Sequence, residues 1–117
     1  MKGRLVIHTQ YCVARFNKRF SLAQKFLDNE VLKDSAPYVP FRTGNLESSG
    51  IRGTQIGSGK VIYNAPYAKK NYYGKGLNFS KAHHPQASAF WFEKAKAQKL
   101  TSWKKGVDKI VKGKNYG

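Results

Sequence analysis

An apolar stripe at helical spacing runs through the C-terminal quarter of this 117-residue sequence. Leu100, Trp103, Val107 and Ile110 follow a 3-4-3 spacing, which turns one side of an α-helix toward a core. Lysines surround the stripe, at positions 94, 96, 99, 104, 105, 109 and 112. The pattern predicts a C-terminal helix over about residues 89–111 that covers one side of a small domain.

The N-terminal third of the chain predicts a strand followed by a helix. Between Arg4 and Phe16, β-branched and aromatic residues favour a strand. Helical spacing then begins at Leu22, with Ser21 as its N-cap or with an earlier start, and predicts an N-terminal helix over about residues 20–34. Asp28 and its neighbours fall mostly on the polar side of that helix.

Prolines and glycines punctuate the middle of the chain. Pro37 ends the first helix and, together with Pro40, favours an extended stretch between them. Four glycines, at positions 50, 53, 57 and 59, then predict a β-hairpin over residues 46–63 with its tip at 57–59. The span from Tyr67 to Tyr73 fits one or two helical turns closed by a glycine.

These elements predict a single α+β domain over residues 1–117. A small antiparallel sheet, the hairpin around residues 46–63, is packed by the N-terminal and C-terminal helices. The polar segment over 74–88 is expected to form a mobile loop, and the tail over 113–117 is expected to fray.

Charge limits the partners this chain can have. It carries 22 basic and 6 acidic residues, a net charge of +16. Residues 60–117 hold 13 of the basic and 2 of the acidic residues, so that half contributes +11. A field of this size attracts polyanions, of which nucleic acid is the commonest, with acidic proteins behind it. All 13 basic residues in this half are lysines, which give charge without the bidentate fork that reads bases, so any DNA contact should be sequence-blind.

The sequence offers little for catalysis or metal binding. With six carboxylates in all, no pair is placed for acid–base work. His83 and His84 lack the paired spacing of a zinc site, and Cys12 is best read as a small apolar residue. The glycines are not followed by a phosphate-loop signature. We therefore expect no enzymatic activity, no cofactor and no small-molecule ligand.

The sequence also argues against membrane insertion and secretion. It contains no apolar run of about 18 residues. The first residues are too short and too soon polar to form a secretory signal, so synthesis in the cytoplasm is expected, with action there or in something assembled there.

A band of aromatic and basic residues between positions 63 and 81 is the strongest candidate for a functional surface. Its tyrosines could anchor a subunit interface, pack in the core or stack on single-stranded nucleic acid, and the residues leave these three alternatives open. The residues expected at a subunit interface are Tyr38, Tyr63, Tyr67, Tyr72, Tyr73 and Phe79. Those expected to contact DNA or an acidic partner are Lys69, Lys70, Lys75, Lys81, Lys94, Lys96, Lys99 and Lys105.

An ordered series of short motifs resembles the minor capsid proteins of long-tailed phages of Gram-positive bacteria. The match spans roughly residues 22–103. Its pieces are Val31-Leu32-Lys33-Asp34-Ser35, Pro37-Tyr38-Val39-Pro40, Thr43-Gly44-Asn45-Leu46 with Ser48-Ser49, Ile62-Tyr63, Pro66-Tyr67-Ala68, Tyr72-Tyr73-Gly74, Asn78-Phe79-Ser80, Pro85-Gln86-Ala87 and Trp91-Phe92-Glu93-Lys94-Ala95. Each piece is weak alone, but the series in this order is fairly specific.

The resemblance implies a structural virion protein of the phage neck, without enzymatic activity. Such a protein assembles as a homo-oligomeric ring at the head–tail junction, in head closure, as a connector or in tail completion. Its expected partners are other neck, portal-adaptor or tail proteins, with non-specific contact to packaged DNA.

The alternative is a free protein that binds nucleic acid non-specifically. It predicts salt-sensitive DNA binding by the isolated chain, with loss when Tyr67, Tyr72 or Tyr73 is replaced by alanine. A small hydrolase or nuclease is a more distant third reading, which metal-dependent DNA cleavage by the purified protein would revive.

Overall fold

The computed structural model describes residues 3–9, 18–40, 44–74 and 87–112. In chain order the elements are β1 (Leu5–His8), α1 (Lys18–Ser35), a 3₁₀ turn (Ala36–Tyr38), α2 (Asn45–Gly53), β2 (Lys60–Tyr63), α3 (Ala68–Tyr72) and α4 (Trp91–Lys112). A two-stranded antiparallel sheet is thus combined with helices, and the predicted α+β class is confirmed.

The sheet pairs two strands that are far apart in sequence and not two neighbouring segments. β1 and β2 run antiparallel, with Leu5 opposite Tyr63 and His8 opposite Lys60. Alternation along each strand turns Leu5, Ile7, Val61 and Tyr63 inward, all at most 7% exposed. Because Ile7 and its partner Val61 are 54 positions apart in sequence, with α1 and α2 between them, the pairing could not be predicted from local sequence.

The predicted hairpin over 46–63 is wrong. Its first half is the helix α2, and only its second half, β2, is a strand. Leu46, Ser49 and Gly50 are the buried positions of α2, which is helical spacing. Gly50 is needed for close packing and not for a turn, because a Cβ there would lie 2.5 Å from Cε1 of Tyr63. Only 56–59, directly before β2, form a turn as predicted.

Helix α1 is longer than its predicted span. It begins at Lys18, so Ser21 lies inside the helix and not at its N-cap. It ends at Ser35, and Pro37 follows in the first turn of the 3₁₀ helix, where its fixed φ is tolerated. Tyr38 therefore lies in the 3₁₀ turn, and only Val39 is extended, with φ −72° and ψ 128°. The prediction of an extended Tyr38 is wrong.

The buried side of α1 is partly polar. Asp28, predicted on the polar side, is fully buried, whereas Leu22, predicted on the apolar face, is 54% exposed. The Asp28 carboxylate accepts hydrogen bonds from the Thr9 hydroxyl and from Gln24 Nε2, the latter at 2.9 Å. It also accepts from the backbone N–H groups of Gly57 at 2.8 Å and Gly59 at 3.1 Å.

These bonds tie three parts of the chain together. Asp28 joins α1 to the end of β1, through Thr9, and to the turn that starts β2. Gly57 and Gly59 both have positive φ, at 98° and 83°, a conformation that glycine adopts without steric cost. The turn can therefore aim two N–H groups at one carboxylate, which satisfies a buried charge with four donors.

Helix α4 covers this assembly and packs chiefly on α1. Its span of 91–112 confirms the predicted C-terminal helix. Trp91, Ala95 and Trp103 are its buried positions, and Trp103 Nε1 donates a hydrogen bond of 2.7 Å to Asp34 of α1. The helix continues unbroken through Gly106, where a Cβ would meet the ring of Phe26.

Two expectations about order fall largely outside the described residues. Of the loop predicted over 74–88, the structure describes residues 74, 87 and 88, and none of the tail over 113–117 is described. The single-domain prediction over 1–117 stays a prediction.

Candidate functional site

The lysines of α4 are directed to two sides of the helix. Lys94, Lys96, Lys99 and Lys105 are all exposed. At 100° per residue, Lys94 and Lys105 lie within about 20° of each other and about 16 Å apart along the axis. Lys96 and Lys99 lie between about 120 and 180° away from that pair. The four predicted contact lysines therefore cannot all face one flat partner.

We name the side that bears Lys94 and Lys105 the lysine face. Lys112 falls on the same side, where it pairs with Asp108 at 3.1 Å, an exposed i,i+4 pair that contributes little to stability. The face is a charged surface directed to solvent, which suits a polyanionic or acidic partner.

The other predicted contact lysines lie on or near α3. Lys69 and Lys70 are exposed on that helix. Lys75 and Lys81 lie outside the described residues. The short helix itself is the one predicted over Tyr67–Tyr73, and that prediction is confirmed.

Two of the tyrosines expected at an interface are in the core. Tyr63 is 1% exposed and Tyr72 is 5% exposed. Both meet Trp91 edge-on, with ring centroids 5.3 Å and 4.8 Å apart. Of the three alternatives for the aromatic band, core packing therefore holds for these two, whose side chains are almost wholly buried.

The protonation of these two tyrosines reflects their burial. Desolvation raises the pKa of the Tyr63 hydroxyl above its ordinary value, and the nearby Glu47 carboxylate adds to the rise. Burial likewise raises the pKa of Tyr72, with a further contribution from Glu93. Both hydroxyls are therefore neutral over the whole physiological range.

The other predicted interface residues differ in accessibility. Tyr67 and Tyr73 are 40% and 44% exposed, whereas Tyr38 is half-buried and packs against the core. Phe79 lies outside the described residues. An interface role stays a prediction. Among the described tyrosines of this set, Tyr67 and Tyr73 are the most exposed and therefore the best placed to contact a partner.

Phe90 is a surface residue that the sequence analysis missed. Its ring is 43% exposed and lies 5.8 Å from the ring of Tyr73. Its φ of 53° is in the left-handed region, which is a genuine outlier for a bulky side chain. Its backbone N–H donates to the Tyr72 carbonyl at 2.8 Å, and its carbonyl accepts from Lys94 in the first turn of α4. No local sequence signal marks such a conformation at a phenylalanine.

We name the Tyr73 and Phe90 rings the aromatic edge. Basic residues flank it on both sides. The Tyr73 N–H donates to the Lys69 carbonyl, and Lys94 lies one helical turn after Phe90. The edge therefore combines apolar rings with positive charge, which is suited to an interface or to base stacking.

A groove between α1 and α2 exposes aliphatic side chains. It has a volume of about 390 Å³ and is lined by Leu32, Ile51, Ile56, Tyr63 and Glu47, among others. Ile51 is 64% exposed and Ile56 is 39% exposed. We name this site the aliphatic groove. Sequence reasoning missed it because residues 46–56 were assigned to a hairpin.

A second groove, of about 640 Å³, runs between α1 and α4. Leu27, Leu100, Trp103 and Val107 line it, with Lys104, Lys105 and Asp108 along its length. The residues of the predicted stripe thus line this groove as well as packing on α1, so part of the stripe is accessible to a partner.

Metal-ligating side chains do not cluster in the described part of the chain. No group of three or more histidine, cysteine, aspartate or glutamate side chains that could hold a metal ion occurs among the described residues. His83, His84 and Cys12 lie outside the described residues. None of the helices in the described ranges is long and apolar enough to cross a membrane.

Comparison with protein families gives a match to the family described as minor capsid protein, over residues 9–111. Since the match covers most of the chain, the protein belongs to the minor capsid protein family, and it is a structural protein of the phage virion. No curated protein and no solved structure matches the chain. The resemblance inferred from the motif series is confirmed at the level of the family.

Proposed function

We propose that this protein is a ring subunit of the phage neck, at the head–tail junction, where it completes the head or the tail. Family membership supports a place in the virion, where partners are other virion proteins. The observation that carries the neck position is the lysine face, an outward charged surface on the longest helix of a chain with a net charge of +16. A ring that surrounds DNA benefits from such sequence-blind attraction to phosphate.

In this proposal the protein has no catalytic activity. Two of the described apolar surface features, the aromatic edge and the aliphatic groove, contact neighbouring subunits of the virion. The lysine face contacts packaged DNA or an acidic ring beside it. We further propose that the phage belongs to the long-tailed phages of Gram-positive bacteria, as the motif series suggests.

Mass spectrometry of purified particles, with heads and tails separated, tests the position directly. We expect a few to a dozen copies per particle in the head–tail junction fraction. Absence of the protein from particles, with presence in the soluble lysate, would contradict a virion role altogether. Presence only in free tail shafts or across the whole head shell would contradict the neck position alone.

Charge reversal tests the lysine face and has a matched control on the same helix. We expect the double variant Lys94→Glu, Lys105→Glu to reduce DNA retention or tail joining by at least tenfold, measured as infectious particles per head. The control Lys96→Glu, Lys99→Glu makes the same charge change on the other side of α4. Equal losses in both variants would show that net charge matters and the lysine face does not.

Free, non-specific binding of nucleic acid is a second candidate function, and the net charge of +16 favours it. It predicts that the isolated chain binds DNA at physiological salt with an affinity that falls steeply as salt rises. A neck subunit should bind DNA weakly alone, because its lysines act together only in the ring. Titration of purified protein with labelled duplex and single-stranded DNA at two salt concentrations distinguishes the two.

A further inference from the structure

Large apolar side chains are exposed at few places in the described part of the chain, and they cluster. Six such side chains are exposed, and four of them form the two sites named above. Tyr73 and Phe90 make the aromatic edge, and Ile51 and Ile56 belong to the aliphatic groove. Leu22 and Tyr67 are the other two. Paired exposed apolar groups of this kind mark sites of association.

The conformation of Phe90 suggests that its ring contacts a partner molecule. A left-handed φ at a phenylalanine costs free energy, and glycine or asparagine would adopt it more readily. Burial would offset this cost, but the ring remains 43% exposed. The strain and the exposure are both explained if a partner covers the ring in the assembled state.

The charges around the two sites favour a contact of the aromatic edge with the aliphatic groove over a contact between two aromatic edges. Helices α3 and α4, which flank the aromatic edge, carry nine basic and two acidic residues, a net charge of +7. Helices α1 and α2, which form the groove, carry five basic and four acidic residues, a net charge of +1. A symmetric contact of edge against edge would bring two basic surfaces together, whereas edge against groove sets a basic surface against a nearly neutral one.

The groove also has the composition that a basic aromatic edge requires. Leu32, Ile51 and Ile56 give the groove an apolar lining, and Glu47 lies near the buried Tyr63 hydroxyl. Lys33 also lines the groove, where its charge is paired with Glu30. Its volume of about 390 Å³ leaves room for an aromatic side chain. Apolar rings can therefore be buried while the flanking lysines approach a carboxylate.

We propose that the aromatic edge of one subunit docks into the aliphatic groove of a second copy of this chain. The contact is head to tail, because it joins two different surfaces, and contacts of this kind generate a ring where the rotation between neighbours closes. This inference rests on the proposed ring and names the two surfaces that meet in it.

Cysteine cross-linking tests the docking. Cys12 is first replaced by serine, so that added thiols are unique. Tyr73→Cys places a thiol on the edge, and Ile51→Cys places one at the groove; both positions are exposed. Each single variant and the double variant are incorporated into particles and treated with a short bismaleimide. The pair Lys69→Cys and Ile56→Cys provides an independent version of the same test.

Head-to-tail docking predicts a ladder of dimers, trimers and larger species for the double variant and none for either single variant. A dimer from Tyr73→Cys alone would overturn the proposal, because it would show that like faces meet. The lack of a ladder with both cysteine pairs, in particles that contain the protein, would also overturn it. A photoreactive label at position 73 that attaches to packaged DNA, with no ladder, would assign the edge to DNA.

The proposed function fails in a different way. If the wild-type protein is missing from purified particles, the virion position is wrong, and the docking proposal falls with it. If the protein is present at the neck and only the ladder is missing, the proposed function stands and the docking alone is overturned.

Discussion

The buried polar cluster around Asp28 and the aromatic edge at Phe90 differ in the kind of group that each buries or exposes. At Asp28 a charged group is fully buried, and four donors satisfy it. At Phe90 an apolar ring is exposed, and its backbone is strained. The first arrangement stabilises the subunit, because every buried polar group has a partner. In the second, the Phe90 ring packs edge-on against Tyr72 and Tyr73 and remains partly open to solvent, and under the docking proposal another surface covers it. Changes to the two regions should therefore have opposite effects on folding and assembly.

The largest effect on stability is expected at Asp28. Asp28→Asn keeps the shape of the side chain. It leaves one acceptor oxygen in place of Oδ1 and Oδ2, which both accept hydrogen bonds in the wild-type protein. An NH₂ group then faces buried donors, which should lower the free energy of unfolding by about 3 kcal/mol. Urea unfolding of the purified chain measures this. The control Glu30→Gln removes a surface pair with Lys33 and should cost less than about 1 kcal/mol.

A loss within about 1 kcal/mol for Asp28→Asn as well would contradict the assigned role of the buried cluster. In that case the turn before β2 would be held by other contacts, and the contrast with the aromatic edge would disappear.

A smaller loss is expected at Gly50, where helix α2 meets the sheet. Alanine favours a helix over glycine by about 1 kcal/mol, so Gly50→Ala would stabilise an exposed helix. Here the added Cβ lies 2.5 Å from the ring of Tyr63, which is buried and cannot move aside. We expect a net loss of about 1 to 3 kcal/mol from overpacking. Arg52→Ala, on the exposed side of α2, is the matched control and should leave the melting temperature nearly unchanged.

A higher melting temperature for Gly50→Ala would show that this position is open. Gly50 would then have no packing role, and the placement of α2 against Tyr63 would have to be revised.

Alkaline pH should destabilise the subunit through its buried tyrosines. The pKa values of Tyr63 and Tyr72 are raised in the folded state, so unfolding favours their ionisation once the pH exceeds the unfolded value of about 10. Their contribution is fully present below that pH and is lost as the pH rises through the folded pKa. Melting temperatures from pH 8 to 11.5 should fall beyond pH 10, and the fall should be shallower in Tyr72→Phe. An unchanged slope in that variant would assign the alkaline transition to other groups.

The smallest effect on stability is expected at the aromatic edge. Phe90→Asn places a residue that tolerates positive φ at this position, so relief of strain offsets the lost ring contacts. We expect the free energy of unfolding to stay within about 1 kcal/mol of wild type. Incorporation into particles should nevertheless fall at least tenfold, measured by quantitative mass spectrometry. Ser88→Ala, two residues upstream and outside the edge, is the control for incorporation.

Loss of stability and of incorporation together in Phe90→Asn would show that the ring acts in folding. Normal incorporation with normal stability would show that the edge is not used in assembly. Either result would remove the contrast between the two regions.

The long helices and the class of the fold were readable from sequence because their signals are local. The stripe at Leu100, Trp103, Val107 and Ile110 is a period within one segment, and α4 follows it almost to the residue. Pro37 ends α1 for a steric reason that is also local. Net charge and its concentration on lysines are properties of composition alone, and they pointed to polyanionic partners.

The glycines at 50 and 53 show where local reasoning fails. Glycine is common in turns, but it also allows a helix to approach a strand closely, and the choice depends on what lies opposite. The ring of Tyr63 lies opposite Gly50, and the two are joined only by the fold. The same holds for Asp28, whose polar character predicted exposure, although its donors come from residues 29 and 31 positions away in sequence.

The sequence by itself determined the family, the α+β class, the two long helices and the strong positive charge, since motifs, periods and composition are all local or additive. Tertiary structure alone decided which tyrosines are buried, that β1 pairs with β2, that Phe90 is strained at the surface and that α1 and α2 enclose a groove. Each of these depends on contacts between segments distant in sequence, whose energies are not encoded in either segment separately.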